Sequence, residues 1–200
     1  MANNSGKNGL WPARTKTGKL TGNANEYEML ANEGNATFLG DPVSLLATSS
    51  ALDGCPDVAL FAPGGSAQAL LCAGPMVAVK PTLTNLTLQY RLASTLTRIL
   101  VHDDPAAIFT IRADGTAAGT DVNKYAGFEI IAGNTTTGVT GTLLDSSDIS
   151  ASATVERTMM ILRAQPAIGN PLATSAVTIY EVILVNHALQ QNSNTTALTL

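Results

Sequence analysis

"TLTRILVHDDPAAIFTIRA", residues 95–113, sets two apolar runs on either side of His-Asp-Asp-Pro. The fold turns on whether His102, Asp103 and Asp104 are a chemical cluster or a bend between two strands. Consecutive residues of a strand point to opposite faces, so a metal would need further ligands from elsewhere. His187 is the only other histidine in the chain. As a bend the letters are fully explained: Asp accepts a local backbone hydrogen bond, and Pro105 presets φ for the next position. The expectation is strand, turn, strand, with the turn a hairpin or a corner.

The same grammar extends in both directions. "ATFLGDPVSLLA" (36–47), "DVALFAP" (57–63) and "PMVAVKP" (75–81) are short apolar pieces bounded by Pro and Gly. "NLTLQYRLA" (85–93) alternates Leu86, Leu88, Tyr90 and Leu92 with Thr87, Gln89 and Arg91, the period of a strand with one wet face. "FEIIAG" (128–133), "VERTMMILRA" (155–164) and "AVTIYEVILVNHA" (176–188) complete the set. Clusters of Gly, Asn, Asp, Thr and Pro separate them. Short strands so punctuated predict an all-β fold, a single antiparallel β-barrel, jelly-roll-like or sandwich domain. Helix is expected only as a turn near Asp121 or within 65–74. The predicted organisation is an extended basic N-terminal arm (1–25), a β-rich body (26–188) and a polar C-terminal tail (189–200).

Composition narrows the functional classes. Only 13% of residues are charged, against about a quarter in ordinary domains. Polarity is carried instead by Ser, Asn and 25 threonines. A surface so poor in charge adheres readily to other proteins, which favours an assembly component. Lys7, Arg14, Lys16 and Lys19 stand in residues 1–20 without an acid, which leaves −8 on the remainder. An acidic body argues against a nucleic-acid face. No apolar leader is visible at the N-terminus, and the longest apolar stretch is interrupted by Pro and Gly, so no membrane span is expected.

Catalytic motifs are missing where they would be needed. Cys55 and Cys72 form no CxxC and have no histidine at zinc-ligand spacing; unpaired thiols are expected in preference to a disulfide. No GxSxG, phosphate-binding loop or dinucleotide fingerprint occurs. Glu156 and Glu181 fall in predicted strands, where a glycosidase pair could sit, but arginines nearby explain them as well. Arg91, Arg98, Arg112, Arg157 and Arg163 also fall in predicted strands, as surface residues or interface anchors. No catalytic residue, metal or cofactor is assigned.

Three stretches carry a resemblance: "YEMLANEGNATFLGDPVSLLAT" (27–48), "YRLASTLTRILVHDDPAAIFTIRADGTAAGTDVNKYAGFEIIAG" (90–133) and "TMMILRAQPAIGNPLATSAVTIYEVILVNHAL" (158–189). In order, they resemble the capsid cement, or head decoration, proteins of tailed bacteriophages. The resemblance implies a β-rich structural protein, made in a bacterial cytoplasm and placed on the outside of the virion capsid. It implies no enzymatic activity. Its partners would be the major capsid protein and further copies of itself as a dimer or trimer, with neither nucleic acid nor membrane. The contact residues expected from the arm are Lys7, Trp11, Arg14, Lys16 and Lys19, with Trp11 as an aromatic anchor. A glycan- or receptor-binding β domain on a virion surface is the alternative, although its loops lack the aromatics that stack on sugars.

Overall fold

The fold, a computed structural model, describes residues 8–18, 23–63, 71–82, 86–115, 118–154, 156–165 and 178–190. The architecture is all-β, with its sheets packed as a sandwich. One layer is a five-stranded closed barrel, built from β2 (Asn25–Met29), β3 (Pro42–Ser49), β4 (Pro56–Leu60), β5 (Cys72–Val79) and β6 (Thr97–Val101). Its strand order is β2-β4-β3-β5-β6, closing back on β2. All pairs are antiparallel except β2 with β4, where Glu28 faces Asp57 and Met29 faces Val58 in parallel register. The expectation of a purely antiparallel domain is corrected at this one pair. Closure supplies the reason: β2 takes β6 on one side and must take whichever strand comes round on the other.

The second layer is a five-stranded antiparallel sheet. It comprises β1 (Trp11–Thr15), β7 (Ala107–Arg112), β8 (Tyr125–Ala126), β11 (Met159–Ala164) and β12 (Ile179–Leu184), in the order β1-β7-β12-β11-β8. A small hairpin-like pair, β9 (Phe128–Glu129) with β10 (Leu143–Leu144), flanks it. Tyr27, Met29, Val43, Val58, Ala73, Met76, Ile99 and Val101 fill the barrel. Phe61 and Cys72 leave the barrel to join Leu10, Phe109, Ile111, Leu144, Ile161, Tyr180 and Val182 under the sheet. Burying a ring such as that of Phe109 contributes about 2–3 kcal/mol by area.

The opening stretch is the joint between these layers. β6 alternates buried and half-buried residues in the barrel, while β7 buries Ala107, Ile108, Phe109 and Ile111 in the sheet and leaves Thr110 and Arg112 half-buried. The two strands do not pair with each other, so His-Asp-Asp-Pro makes a corner and not a hairpin. Strand β5 passes close behind it. Gly74, at φ +136°, is so near that a Cβ there would meet the His102 carbonyl oxygen at 2.1 Å. Only a residue without a side chain fits.

Three expectations change. Residues 11–15 and 25 are not an arm: β1 is an edge strand on β7, Leu10 is fully buried, and β2 begins at Asn25. Residues 86–93 are not a strand; they form a loop touching Thr37 through one bridge at Arg91. Asp121 ends a short 3-10 turn, Gly119–Asp121, and does not open one; its carboxylate accepts the Ala118 amide at 2.7 Å. Of the turn expected within 65–74, residues 65–70 lie outside the described residues and Cys72–Gly74 belong to β5.

Candidate functional site

The corner is the first place to look for chemistry, and its two carboxylates are occupied with holding chain. Asp103 accepts both the Asn25 side-chain amide, at 2.9 and 3.0 Å, and the Tyr27 hydroxyl at 2.6 Å. Burial and this hydrogen bond push the Tyr27 phenol above its ordinary value. The Asp104 carboxylate accepts the Ala106 amide at 2.8 Å, the local turn bond expected of Asp before Pro. The His102 ring stands edge-on to Phe109, with centroids 6.0 Å apart. Among the described residues no group of three His, Cys, Asp or Glu side chains is arranged to hold a metal ion.

Other candidates are likewise engaged. Glu181 on β12 is gripped from two sides, by Arg14 of β1 at 2.7 Å from across β7 and by Arg163 of the neighbouring β11 at 3.0 Å on each oxygen. Burial raises its carboxyl, but the two guanidinium groups outweigh burial and hold it below the usual value. Glu156 is exposed and lies outside any strand, as does Arg157, which binds Asp148. Arg98 bridges Glu28 and Asp53. Both cysteines are free thiols, and burial pushes that of Cys72 up to about 12, which makes it a poor nucleophile at neutral pH.

The five residues expected to make contacts from the arm separate. Trp11 donates its indole N–H to the Asn8 carbonyl at 2.8 Å, and its ring covers Gly40. Arg14 is committed to Glu181. Lys16 is exposed. Lys7 and Lys19 lie outside the described residues. Trp11 is therefore an anchor, but to its own fold.

A different surface emerges instead. Residues 130–144 contain no charged side chain, and residues 81–97 contain one, Arg91. The two segments meet: Tyr90 stacks on Phe38 at 4.9 Å, the Leu39 amide donates to the Gly138 carbonyl at 2.9 Å, and Thr87, Gln89, Tyr90, Leu92, Thr135 and Thr136 line one shared depression. Leu86 (74% exposed), Leu92 (42%), Leu96 (57%) and Ile131 (38%) are exposed within these two segments. A cleft of about 390 Å³ opens beside it between Phe38, Leu60 and Ile130–Gly133.

Arg91 is absent from that surface because it is wholly buried. Its guanidinium spends its donors on carbonyls: Thr95 at 2.9 and 3.1 Å, Leu30 at 2.6 Å, Glu33 at 2.9 Å and Asn35 at 2.6 Å. The cation thus pins the leucine-bearing loop to the segment after β2. Beneath residues 138–142, buried Asp41 accepts the Thr140 hydroxyl, the Thr142 hydroxyl at 2.9 Å and the Phe38 amide at 2.8 Å. Apolar groups face outwards on a scaffold whose polar groups are satisfied within. Periodicity alone reads this loop backwards; the charge-free run in the sequence was the available signal.

Compared with known proteins, the chain matches no protein-family model, no curated protein and no solved structure.

Proposed function

We propose that this chain is a structural decoration protein that binds the outer surface of a tailed-phage capsid and braces neighbouring coat subunits, without catalysis. The observation that carries the reading is the uncharged surface of residues 86–96 and 130–144, with its four exposed apolar side chains. Interface cores are depleted in Lys, Glu and Asp, the composition these two segments share. The ordered resemblance to capsid cement proteins supports the partner. The low charge of the whole chain suits a component that works in many symmetric copies, whose individually weak contacts add through multivalency.

The test is co-sedimentation of purified protein with expanded capsids lacking it. Saturable binding at a fixed ratio to coat subunits is expected for the parent. It should be lost in a Leu86→Asp, Leu96→Asp variant whose melting temperature is unchanged, because both side chains are exposed. Failure of the parent to bind, or full binding by the variant, would overturn the reading.

A further inference from the structure

Arg14 and Arg163 reach Glu181 through matching irregularities in their strands. β1 takes one extra residue between Pro12 and Arg14 against β7, and β11 takes one between Ile161 and Arg163 against β12. Pro12 lies opposite Phe109 and Ile161 opposite Val182, both buried under the sheet. Strict alternation would turn the two arginines to that same inner face. The extra residues, Ala13 and Leu162, bring them to the outer face instead, with Arg163 directly beside Glu181. Two bulges on separate strands thus aim two cations at one carboxylate.

The cations are held close. Arg14 Nη2 is 2.7 Å and Arg163 Nε 3.0 Å from the same oxygen, Oε2 of Glu181. Nitrogens of the two guanidinium groups therefore lie within about 6 Å of each other, where like charges repel. Glu181, whose side chain is only 7% exposed, is what keeps them together. Each guanidinium turns its Nε and Nη2 edge to the glutamate. Among the described residues neither Nη1 makes a hydrogen bond, and the two side chains remain 37% and 50% exposed. Two cations on one anion leave a single positive charge. The other outward side chains of β7, β11 and β12 add a further cation, Arg112, and no acid.

We propose that Arg14 and Arg163, clamped together by Glu181, are a binding site for a carboxylate, the acidic side chain of a protein partner. The open Nη1 groups supply N–H donors from two preorganised guanidinium forks, the geometry that recognises a carboxylate. A surplus of one positive charge suits a monoanion. The outer face of a sheet has no walls to enclose a small molecule, so the carboxylate is presented by a larger surface. The chain as a whole is acidic and repels an extended polyanion, which disfavours a nucleic acid. The site is built by other elements than the uncharged surface of residues 86–96 and 130–144, and it is tested without capsids.

The experiment follows the arginine Nε–H signals of the full chain by nuclear magnetic resonance, at constant ionic strength and about pH 6, where a glutamate side chain is ionised. The probe is the capped peptide acetyl-Gly-Glu-Gly-amide, and its neutral control is acetyl-Gly-Gln-Gly-amide. The Arg14 and Arg163 signals should move together and saturate with a Kd of about 1–30 mM, and the neutral peptide should leave them in place. Arg98, shared between Glu28 and Asp53, and Arg157, paired with Asp148, should stay still. Arg163→Lys keeps the charge but not the fork, and should weaken the binding read at Arg14 by about tenfold. No saturable shift by about 200 mM peptide, or equal shifts at Arg98 and Arg157, would overturn the site. Unweakened binding in a folded Arg163→Lys variant would do the same; should that variant not fold, the parent titration decides alone. Tighter binding of dimethyl phosphate than of the acidic peptide would overturn the carboxylate in favour of a nucleic-acid backbone. With the site upheld, shifts of the same two signals on dilution of the chain alone place the acidic side chain on a second copy, and their absence places it on another protein.

Discussion

Arg14 and Glu181 are 167 positions apart in the chain and 2.7 Å apart in space. The bond ties the first strand of the sheet to the last, across β7. The segment containing Arg14 is thus part of the fold, and its removal is a structural event.

Leu10, just before β1, has no exposed surface and packs under the sheet with Phe109 and Tyr180. Leu10→Ala should cost about 2–5 kcal/mol, read as a lower denaturation midpoint in urea. Deleting residues 1–15 should cost more, since β1 goes with it; a truncated protein as stable as the parent would contradict the placement of β1.

Glu181 makes a pH prediction. Its carboxyl is held below the ordinary value, so the folded state keeps the charge where the unfolded state has taken a proton. The stabilisation is present above about pH 4.5 and is lost as pH falls through the folded value. Glu181→Gln should flatten the stability profile below about pH 4.5, measured by thermal melts across that range.

Gly74 tests the corner. Its φ of +136° and the His102 oxygen at 2.1 Å from a Cβ leave no room for alanine. Gly74→Ala should destabilise by about 2 kcal/mol or more, whereas Gly54→Ala, also at positive φ but in open space, should cost less. Chemical denaturation of the two variants side by side gives the comparison.

Arg91 tests the loop. Lysine retains the charge but offers three donors on one atom, so it cannot span the Leu30, Glu33, Asn35 and Thr95 carbonyls. Arg91→Lys should lose about 2–3 kcal/mol and raise amide exchange in residues 30–37 and 86–96 before the rest of the molecule.

These positions also mark what the sequence made legible. Thr97–Val101 alternates cleanly, Ala107–Arg112 is a short apolar run, and the turn between them is written in Asp104 and Pro105, so the joint of the fold could be read directly. β1 could not: "WPART" has a proline, a cation and no apolar period, and it qualifies as a strand only because β7 has a free edge. Residues 86–93 mislead in the opposite way. Their leucines keep strand period, yet Leu86 and Leu92 are exposed while Arg91, assigned to the wet side, is buried. Periodicity weighs side chains by hydropathy and cannot see carbonyls that gather around a guanidinium.

The order of strands along the chain has a consequence during synthesis. The barrel uses five strands that follow one another from Asn25 to Val101, so it can close while the C-terminal half is still being made. The sheet cannot form that way: β1 emerges first but waits for β7, and β7 waits for β12 before it is flanked on both sides. Pairings of such long separation form slowly. On the ribosome, therefore, the first strand to appear is among the last to find its place, and until then the finished barrel holds an unpaired edge in waiting at its side.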